Sequence, residues 1–468
     1  MAHNFDSWGR LDRKPRESSR LESLGDPAVE DDGLLAFGNG RSYGDSCHND
    51  DGRLIPMRAA ARIHAFDPGS GILEADAGVT LNEILEHVIP HGFFLEVTPG
   101  TALATLGGAV ANDVHGKNHH RRGSFGHSVI SFSLLRSDGS PLRCSRQENT
   151  ELFAASIGGM GLTGVMTRIR IRLMKVASPD IEQVANRFDN IDGYFDRIDA
   201  VDRDHEYSVA WIDQLATGKS TGRGVLMAGD HAEAGNQVSA SGRRLSVPLQ
   251  PPVNLLNRLT LSAFNALYYG RAPKQETRSL VGWRGYFHPL DAIGHWNRLY
   301  GPKGLYQHQS VFPAGNARET VLKLMECARA HGHASFLTVL KRFGSIPQPG
   351  LLSFARPGFT LTLDFANQGA ATLKMLEALD EIVLAAGGAL NPYKDARMSA
   401  QMFEASFPDW KRLEQLRDPK LVSDFWKRTA LALPADRTDS GATIGGKDYA
   451  KLSRNENASN LKQINAPA

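Results

Sequence analysis

Cysteine is scarce, with three residues in 468: Cys47, Cys144 and Cys327, far apart in the chain. They offer no metal-ligand spacing and no disulfide framework, so no metal is expected and a reducing compartment is. A dominant charge is also lacking. Lys and Arg number 53 against 51 Asp and Glu, a formal net charge of +2, which argues against the global basic field of a nucleic-acid binder. No apolar run reaches the length of a membrane-spanning helix. The N-terminal MAHNFDSWGRLDRKPRES has no apolar core of a secretory signal. The expected location is therefore cytoplasmic, free or held peripherally at the inner membrane. Hydrophobic content of 41% and charged content of 22% are those of an ordinary globular protein. At 468 residues the chain exceeds what one core usually serves, so two or three domains are expected.

Glycine is where the sequence departs from the ordinary. Pro99 to Val129 (PGTALATLGGAVANDVHGKNHHRRGSFGHSV) holds six glycines and four histidines. Gly100, Gly107, Gly108, Gly116, Gly123 and Gly126 allow close approach of backbone to a ligand. The small residues Thr101, Thr105, Ala109, Ala111 and Ser124 leave N–H groups unshielded, as a pyrophosphate cradle requires. A plain surface loop is the alternative, but the mixture of polar and apolar residues is unlike a monotonous Gly/Ser linker.

Around this stretch the pattern is α+β. Leu34-Leu35-Ala36-Phe37 reads as a buried strand running into GNGRSYGD, Gly38 to Asp45. No third glycine and no helix follow, so a dinucleotide-binding βαβ unit is excluded on context. Thr80-x-x-Glu83 is a capping box opening a helix with Leu81, Ile84, Leu85 and Val88 on one face. Val129–Leu135 and Leu142–Ser145 flank Ser137-Asp138-Gly139, a hairpin signal. A short helix over Glu151–Ser156, then GGMGLTGVM, leads into a strand over Val165–Leu173.

Beyond Val176 glycine thins out. Residues 235–282 read as an insertion, in which VNLLNRLTLSAFNALYYG is apolar and only weakly amphipathic. Core packing and a flap facing a lipid substrate or membrane are its two readings. Strand Leu305–Phe312, helix Arg318–His331, strands Ala334–Arg342 and Phe359–Phe365, helix Thr372–Ala386 and strand Ala389–Tyr393 spell β-α-β-β-α-β. That is a split ferredoxin-like arrangement suited to a cap over a site held elsewhere. Residues 394–433 read as mostly helical, and 434–468 as a polar disordered tail.

GNGRSYGD, TPGT, GGAVANDVHGKNHH, GSFG, GGMGLTGV, YFHPLD, HWNRLYGP, LKRFG and YKD, in this order, resemble the decaprenylphosphoryl-β-D-ribose 2′-oxidase family. That family lies within the vanillyl-alcohol oxidase / p-cresol methylhydroxylase superfamily of flavoproteins. The resemblance covers about residues 33 to 430 and implies an FAD-binding domain of the p-cresol methylhydroxylase type. Its N-terminal part would be 1–177 and its C-terminal return 389–433, with a substrate-binding cap over 178–388. The implied cofactor-binding residues are Asn39, Gly40, Arg41, Ser42, Tyr43, Gly44 and Asp45, with Gly100, Thr101, Thr105, Gly107, Gly108, Asn112, His115, Gly116, Gly164, Val165 and Asn391. Arg41 stands where covalent-flavin relatives place the attaching histidine, so FAD is expected to be non-covalent.

The implied reaction moves a hydride from a secondary alcohol carbon to flavin. Lys394 is expected near the flavin, with His115 as the side-chain candidate for the hydroxyl proton, its ordinary pKa lying near neutrality. Tyr43 would cover the flavin or reach the substrate. Gln309, Lys341, Trp211, Arg298 and Thr362 match substrate-pocket positions, and Lys341 would suit a lipid phosphate. His119, His120, Arg121 and Arg122 read as a surface cluster. Thr362 replaces a cysteine of mycobacterial members, and Asn391 an aromatic residue. The implied substrate is a polyprenyl-phosphate-linked pentose oxidised at its 2-hydroxyl in cell-wall polysaccharide biosynthesis. A short-chain NAD(P)H-dependent reductase would complete the epimerisation, and residues 245–269 would touch the membrane. A free sugar, alditol or aldonolactone is the alternative substrate; a flavin-binding protein without turnover is a further alternative.

Overall fold

A computed structural model describes residues 4–139, 141–233 and 245–434. The expected tail beyond 434 and the first part of the expected insertion, 235–244, lie outside the described residues.

The N-terminal strands build an antiparallel sheet in the order Ile63–Asp67, Ile72–Asp76, Val165–Lys175, Val129–Leu135, Pro141–Ser145, with Phe93–Leu95 also paired to Val165–Lys175. The short strands Leu34–Phe37 and Arg53–Pro56 pair in parallel beside it. The capping box is present at helix Leu81–Val88. Thr80 accepts from the Glu83 N–H, and Glu83 accepts from the Thr80 N–H at 2.7 Å. This registers Leu81, Ile84, Leu85 and Val88 inward, each contributing roughly 1.5–3 kcal/mol on full burial.

The second sheet has eight strands in the order Thr277–Val281, Ile181–Phe188, Gly224–His231, Tyr207–Ile212, Val339–Phe343, Gly358–Ala366, Leu305–Phe312, Ala389–Leu390. Its second half comes from the β-α-β-β-α-β segment read in the sequence. Its first half repeats the pattern: strand Ile181–Phe188, helix Ile191–Asp204, strands Tyr207–Ile212 and Gly224–His231, helix Arg258–Arg271 and strand Thr277–Val281. Each half orders its strands fourth, first, third, second, and the two second strands pair antiparallel through Ala210–Leu340 and Trp211–Val339. The helix and strand read as an insertion thus occupy the closing helix and edge strand of the first half.

Two strand ends differ from expectation. The strand expected from Ala334 begins at Val339. Ser335 instead donates its N–H to Gln214 and accepts the Asp364 N–H with its hydroxyl. The strand expected to reach Tyr393 stops at Leu390. Pro392 has no N–H to donate, and the Tyr393 N–H turns back to the Asn391 side chain at 3.0 Å. The C-terminal segment read as mostly helical over 394–433 carries three short α-helices, Ala400–Ser406, Trp410–Leu416 and Asp424–Arg428.

Chain return fixes the position of residues 393–395. The Leu34 N–H donates to Lys420 and the Val422 N–H to Leu34, extending the small parallel pair. Upstream, the Tyr43 N–H donates to the Tyr393 carbonyl. Gly44 lies so close that a Cβ there would fall 1.9 Å from the Asp395 carbonyl oxygen. Gly44→Ala is expected to cost about 1–3 kcal/mol or more as an overpacking change, lowering the thermal midpoint in calorimetry. Gly100→Ala, whose Cβ meets nothing within 4 Å, should leave the midpoint of the FAD-free protein unchanged.

Candidate active site

A cleft of about 450 Å³ is lined from both sheets and from the glycine-rich loops. Its first half is backbone. Gly38 to Tyr43 line it on one side and Pro99 to Thr101, Thr105, Gly107 and Gly108 on another, with Gly161, Gly164 and Val165 beyond. Asn39 is held by its side-chain amide, which donates to the Leu103 carbonyl at 2.7 Å. Thr105 caps the helix Leu106–Ala111 by accepting the Gly108 N–H. A Cβ at Gly38 would strike the Thr105 hydroxyl at 2.6 Å, and Gly40 has a φ of +60°. Among the described residues, the backbone N–H groups of Asn39, Gly40, Arg41 and Ser42 find no acceptor. Arg41 stacks its guanidinium 4.8 Å from the Trp8 ring and leaves its Nε buried without a partner. Unspent donors on a glycine turn beside a cation are the donor set an anionic pyrophosphate requires, so these residues fit FAD.

The second half is side chain. Lys394 follows the short strand Ala389–Leu390 and places Nζ 4.3 Å from the centre of the Tyr43 ring. Strand Leu305–Phe312 supplies Gln309, strand Val339–Phe343 supplies Lys341, and strand Gly358–Ala366 supplies Thr362. His115 sits among them. Its Nε2 lies 2.9 Å from Gln309 Nε2 and its Nδ1 3.2 Å from Lys341 Nζ. The Phe343 ring packs edge-on against the imidazole at 4.8 Å. Trp211, on strand Tyr207–Ile212, lines the cleft with Tyr268, their rings 4.7 Å apart.

The electrostatics of this half are unusual because its cations outnumber its acids. Desolvation pulls Lys341 down to about 7 and Lys394 to about 8, the latter partly offset by Asp364. Lys117, whose Nζ donates to the Tyr286 carbonyl and sits 4.2 Å over that ring, falls to about 7 by burial and by Lys341. Burial lifts the Asp364 carboxyl to about 7. Burial and the nearby lysines drive His115 well below its ordinary range, leaving it a neutral hydrogen-bonding group at physiological pH.

Most expected site residues line this one cleft: Asn39 to Tyr43, Gly100, Thr101, Thr105, Gly107, Gly108, Asn112, His115, Gly116, Gly164, Val165, Trp211, Gln309, Lys341, Thr362, Asn391 and Lys394. Gly44, Asp45 and Arg298 do not. Asp45 is paired with Arg428 at 2.6 Å, and Arg298 donates to the Val247 and Pro248 carbonyls. The histidines expected at the surface are also placed differently. His119 is buried and accepts the Gly344 N–H, while His120 reaches the His205 carbonyl.

Sequence reasoning gave no role to Trp8, Lys117 or Gln307, which line the same cleft. Gln307 had a signal, since it lies two residues from Gln309 and shares its strand face. Lys117 stood inside HGKNHH. Trp8 had none, lying in the polar N-terminal MAHNFDSWGRLDRKPRES.

Residues 27–145 match the FAD binding domain family model. The chain is 34% identical over 420 residues to decaprenylphosphoryl-β-D-ribose oxidase of Mycolicibacterium smegmatis, covering 85% of this chain and 89% of that protein. The chain belongs to the decaprenylphosphoryl-β-D-ribose oxidase family. It is an FAD-dependent oxidoreductase. An uncharacterised Streptomyces coelicolor protein is also 34% identical, over 75% of this chain and its own full length. Mouse L-gulonolactone oxidase is 24% identical over 30% of this chain and 31% of its own.

Linkage gives these shifts opposite pH windows. Asp364 keeps its proton to about 7 in the folded state while the unfolded chain loses it near 3.8, so its contribution to stability falls as pH rises from 4 to 7. Lys341 and Lys117 lose theirs near 7 when folded and near 10.5 when unfolded, so their contribution rises from 7 to 10. Urea denaturation across pH 4–10 should show Asp364→Asn flattening the falling limb. Lys341→Met should reduce the rising limb, by at most about 1.4 kcal/mol per pH unit.

Proposed function

We propose that this enzyme oxidises the 2-hydroxyl of a polyprenyl-phosphate-linked pentose to a ketone. A partner reductase of the short-chain NAD(P)H-dependent class would then return it as the epimer. The observation that carries the lipid-linked substrate is the apolar surface continuous with the cleft wall. Helix Arg258–Arg271 turns Tyr268 into the cleft while exposing Leu259 and Leu267. Leu245, Leu249 and Val253, just before it, are exposed as well. Such a surface suits an isoprenoid chain or the face of a bilayer, with the sugar end directed inward. No helix among the described residues is long and apolar enough to cross a membrane, so contact through residues 245–269 would be peripheral.

In this reading residues 1–177 and the C-terminal return form the FAD-binding domain, and the substrate cap, built of two split ferredoxin-like units, runs from 178 past the expected 388 to include its closing strand Ala389–Leu390. Bound FAD supplies the hydride acceptor. Arg41, engaged with Trp8, is no nucleophile for flavin attachment, which supports non-covalent binding. Lys394 holds positive charge where the carbinol oxygen becomes negative. Gln309 and Thr362 orient the sugar, and Tyr43 with Trp211 closes the site against water. His115 is a poor proton acceptor, since its pKa is driven far below neutrality. Anchoring of a lipid phosphate by Lys341 is disfavoured too, because its Nζ is engaged with His115 and the Gly116 carbonyl.

The partial likeness to L-gulonolactone oxidase supports a free sugar or aldonolactone as the second reading. Anaerobic reduction of the bound flavin separates the two. Polyprenylphosphoryl ribose in detergent or vesicles should reduce it at least tenfold faster than free pentoses or gulonolactone. Leu249→Glu with Leu259→Glu should slow only the lipid-linked substrate. Equal rates with a free sugar would contradict the proposal.

A further inference from the structure

The hydrogen bonds around His115 have a direction. The Tyr393 backbone N–H, which can only donate, gives its proton to Asn391 Oδ1 at 3.0 Å. That orients the Asn391 amide, whose Nδ2 donates to Gln309 Oε1 at 2.9 Å. Gln309 is oriented in turn: its Nε2 donates to Thr360 Oγ1 at 3.2 Å and faces His115 Nε2 at 2.9 Å. Asn391 and Gln309 are both buried, so a flip of either amide would set like groups together. His115 Nε2 must therefore present its lone pair. A neutral imidazole carries one proton, so it resides on Nδ1, where the Gly116 carbonyl is one acceptor and Lys341 Nζ, 3.2 Å away, is the other group it faces. An ammonium offers three donors and no lone pair; a free amine has one.

We propose that Asn391 is a positioning residue: through Gln309 it fixes His115 as the Nδ1–H tautomer and so holds Lys341 as an uncharged amine. The second contact of Lys341, donation to the Gly116 carbonyl at 3.4 Å, is open to an amine as well as to an ammonium. The titratable groups facing this pair are Lys394, Lys117 and His119, all bases, with Asp364 behind Lys394. Surroundings of that kind oppose a second charge and act in the same direction as the hydrogen-bond chain. The cleft then holds Lys394 as its cation and Lys341 as its proton acceptor. On taking a carbinol proton the O–H bond breaks, an N–H bond forms at Nζ, and the amine becomes an ammonium; bound FAD would supply the acceptor for the carbinol hydride. That last step rests on the function proposed above; the tautomer and the amine do not.

Long-range ¹H–¹⁵N spectra of the FAD-loaded, histidine-labelled enzyme at pH 7.5, without substrate, test the first part. His115, assigned with His115→Gln, is expected as the Nδ1–H tautomer; the Nε2–H tautomer or an imidazolium would overturn the proposal. Asn391→Asp changes one amide nitrogen to an acceptor oxygen. It should turn Gln309 over, move the His115 proton to Nε2 and raise the midpoint for competitive acetylation of Lys341 by acetic anhydride. Asn391→Leu, which adds no charge, should raise that midpoint by about one pH unit, which is about 1.4 kcal/mol and within the net worth of one hydrogen bond. An unchanged tautomer in Asn391→Asp and an unmoved midpoint in Asn391→Leu would show that Asn391 does not set the state of the pair.

Discussion

Charge without counter-charge is the constraint on which the site depends. Lys117, Lys341 and Lys394 share one cleft with His115, while Asp364, the acid whose charge acts on Lys394, is itself buried with one carboxylate oxygen unpartnered. Removing an ammonium from water costs several kcal/mol unless a partner or deprotonation relieves it. Here relief comes by deprotonation for some of the lysines, aromatic faces for Lys117 and Lys394, and a carbonyl for Lys117. A cleft so arranged is ready for negative charge: that of a flavin pyrophosphate on the backbone side and that developing on a carbinol oxygen on the side-chain side.

The fold serves this by convergence. The glycine turns after strand Leu34–Phe37 and after Thr98 bring bare backbone to one wall. The second half of the eight-stranded sheet brings Gln309, Lys341 and Thr362 to the other. The end of its last strand delivers Lys394 only because Pro392 stops the ladder and Asn391 turns the chain. Gly44 then lets residues 393–395 lie against the Tyr43 loop, so the cation sits over the Tyr43 ring.

Much of this was legible in the residues. Strand Leu305–Phe312 and the hairpin at Ser137-Asp138-Gly139 lie where periodicity and turn chemistry place them, and the capping box at Thr80 is made as read. The glycine-rich stretch lines the cleft because small residues and glycines were its requirement from the start. What stayed hidden depends on tertiary partners. Arg298 has the chemistry of a pocket cation, but two loop carbonyls at 247 and 248 claim it. Asp45 reads as part of the phosphate turn, but Arg428, nearly 400 positions away, takes its carboxylate. Residues 183–230 read as alternating strand and helix, as they are, but their membership of a repeat was obscured because the closing helix, Arg258–Arg271, is too weakly amphipathic to announce itself.

Lys394 is the proposed cation facing the reacting oxygen, and its charge can be removed alone. Lys394→Met keeps the length and apolar stem of the side chain while removing the charge. FAD occupancy is read from the visible flavin spectrum, and reduction by polyprenylphosphoryl ribose is followed without oxygen in a stopped-flow instrument. Retained FAD with reduction slowed by about two orders of magnitude or more is the predicted result, the scale of losing one preorganised charge at a developing oxyanion. Reduction of the FAD-loaded variant at the wild-type rate would contradict it.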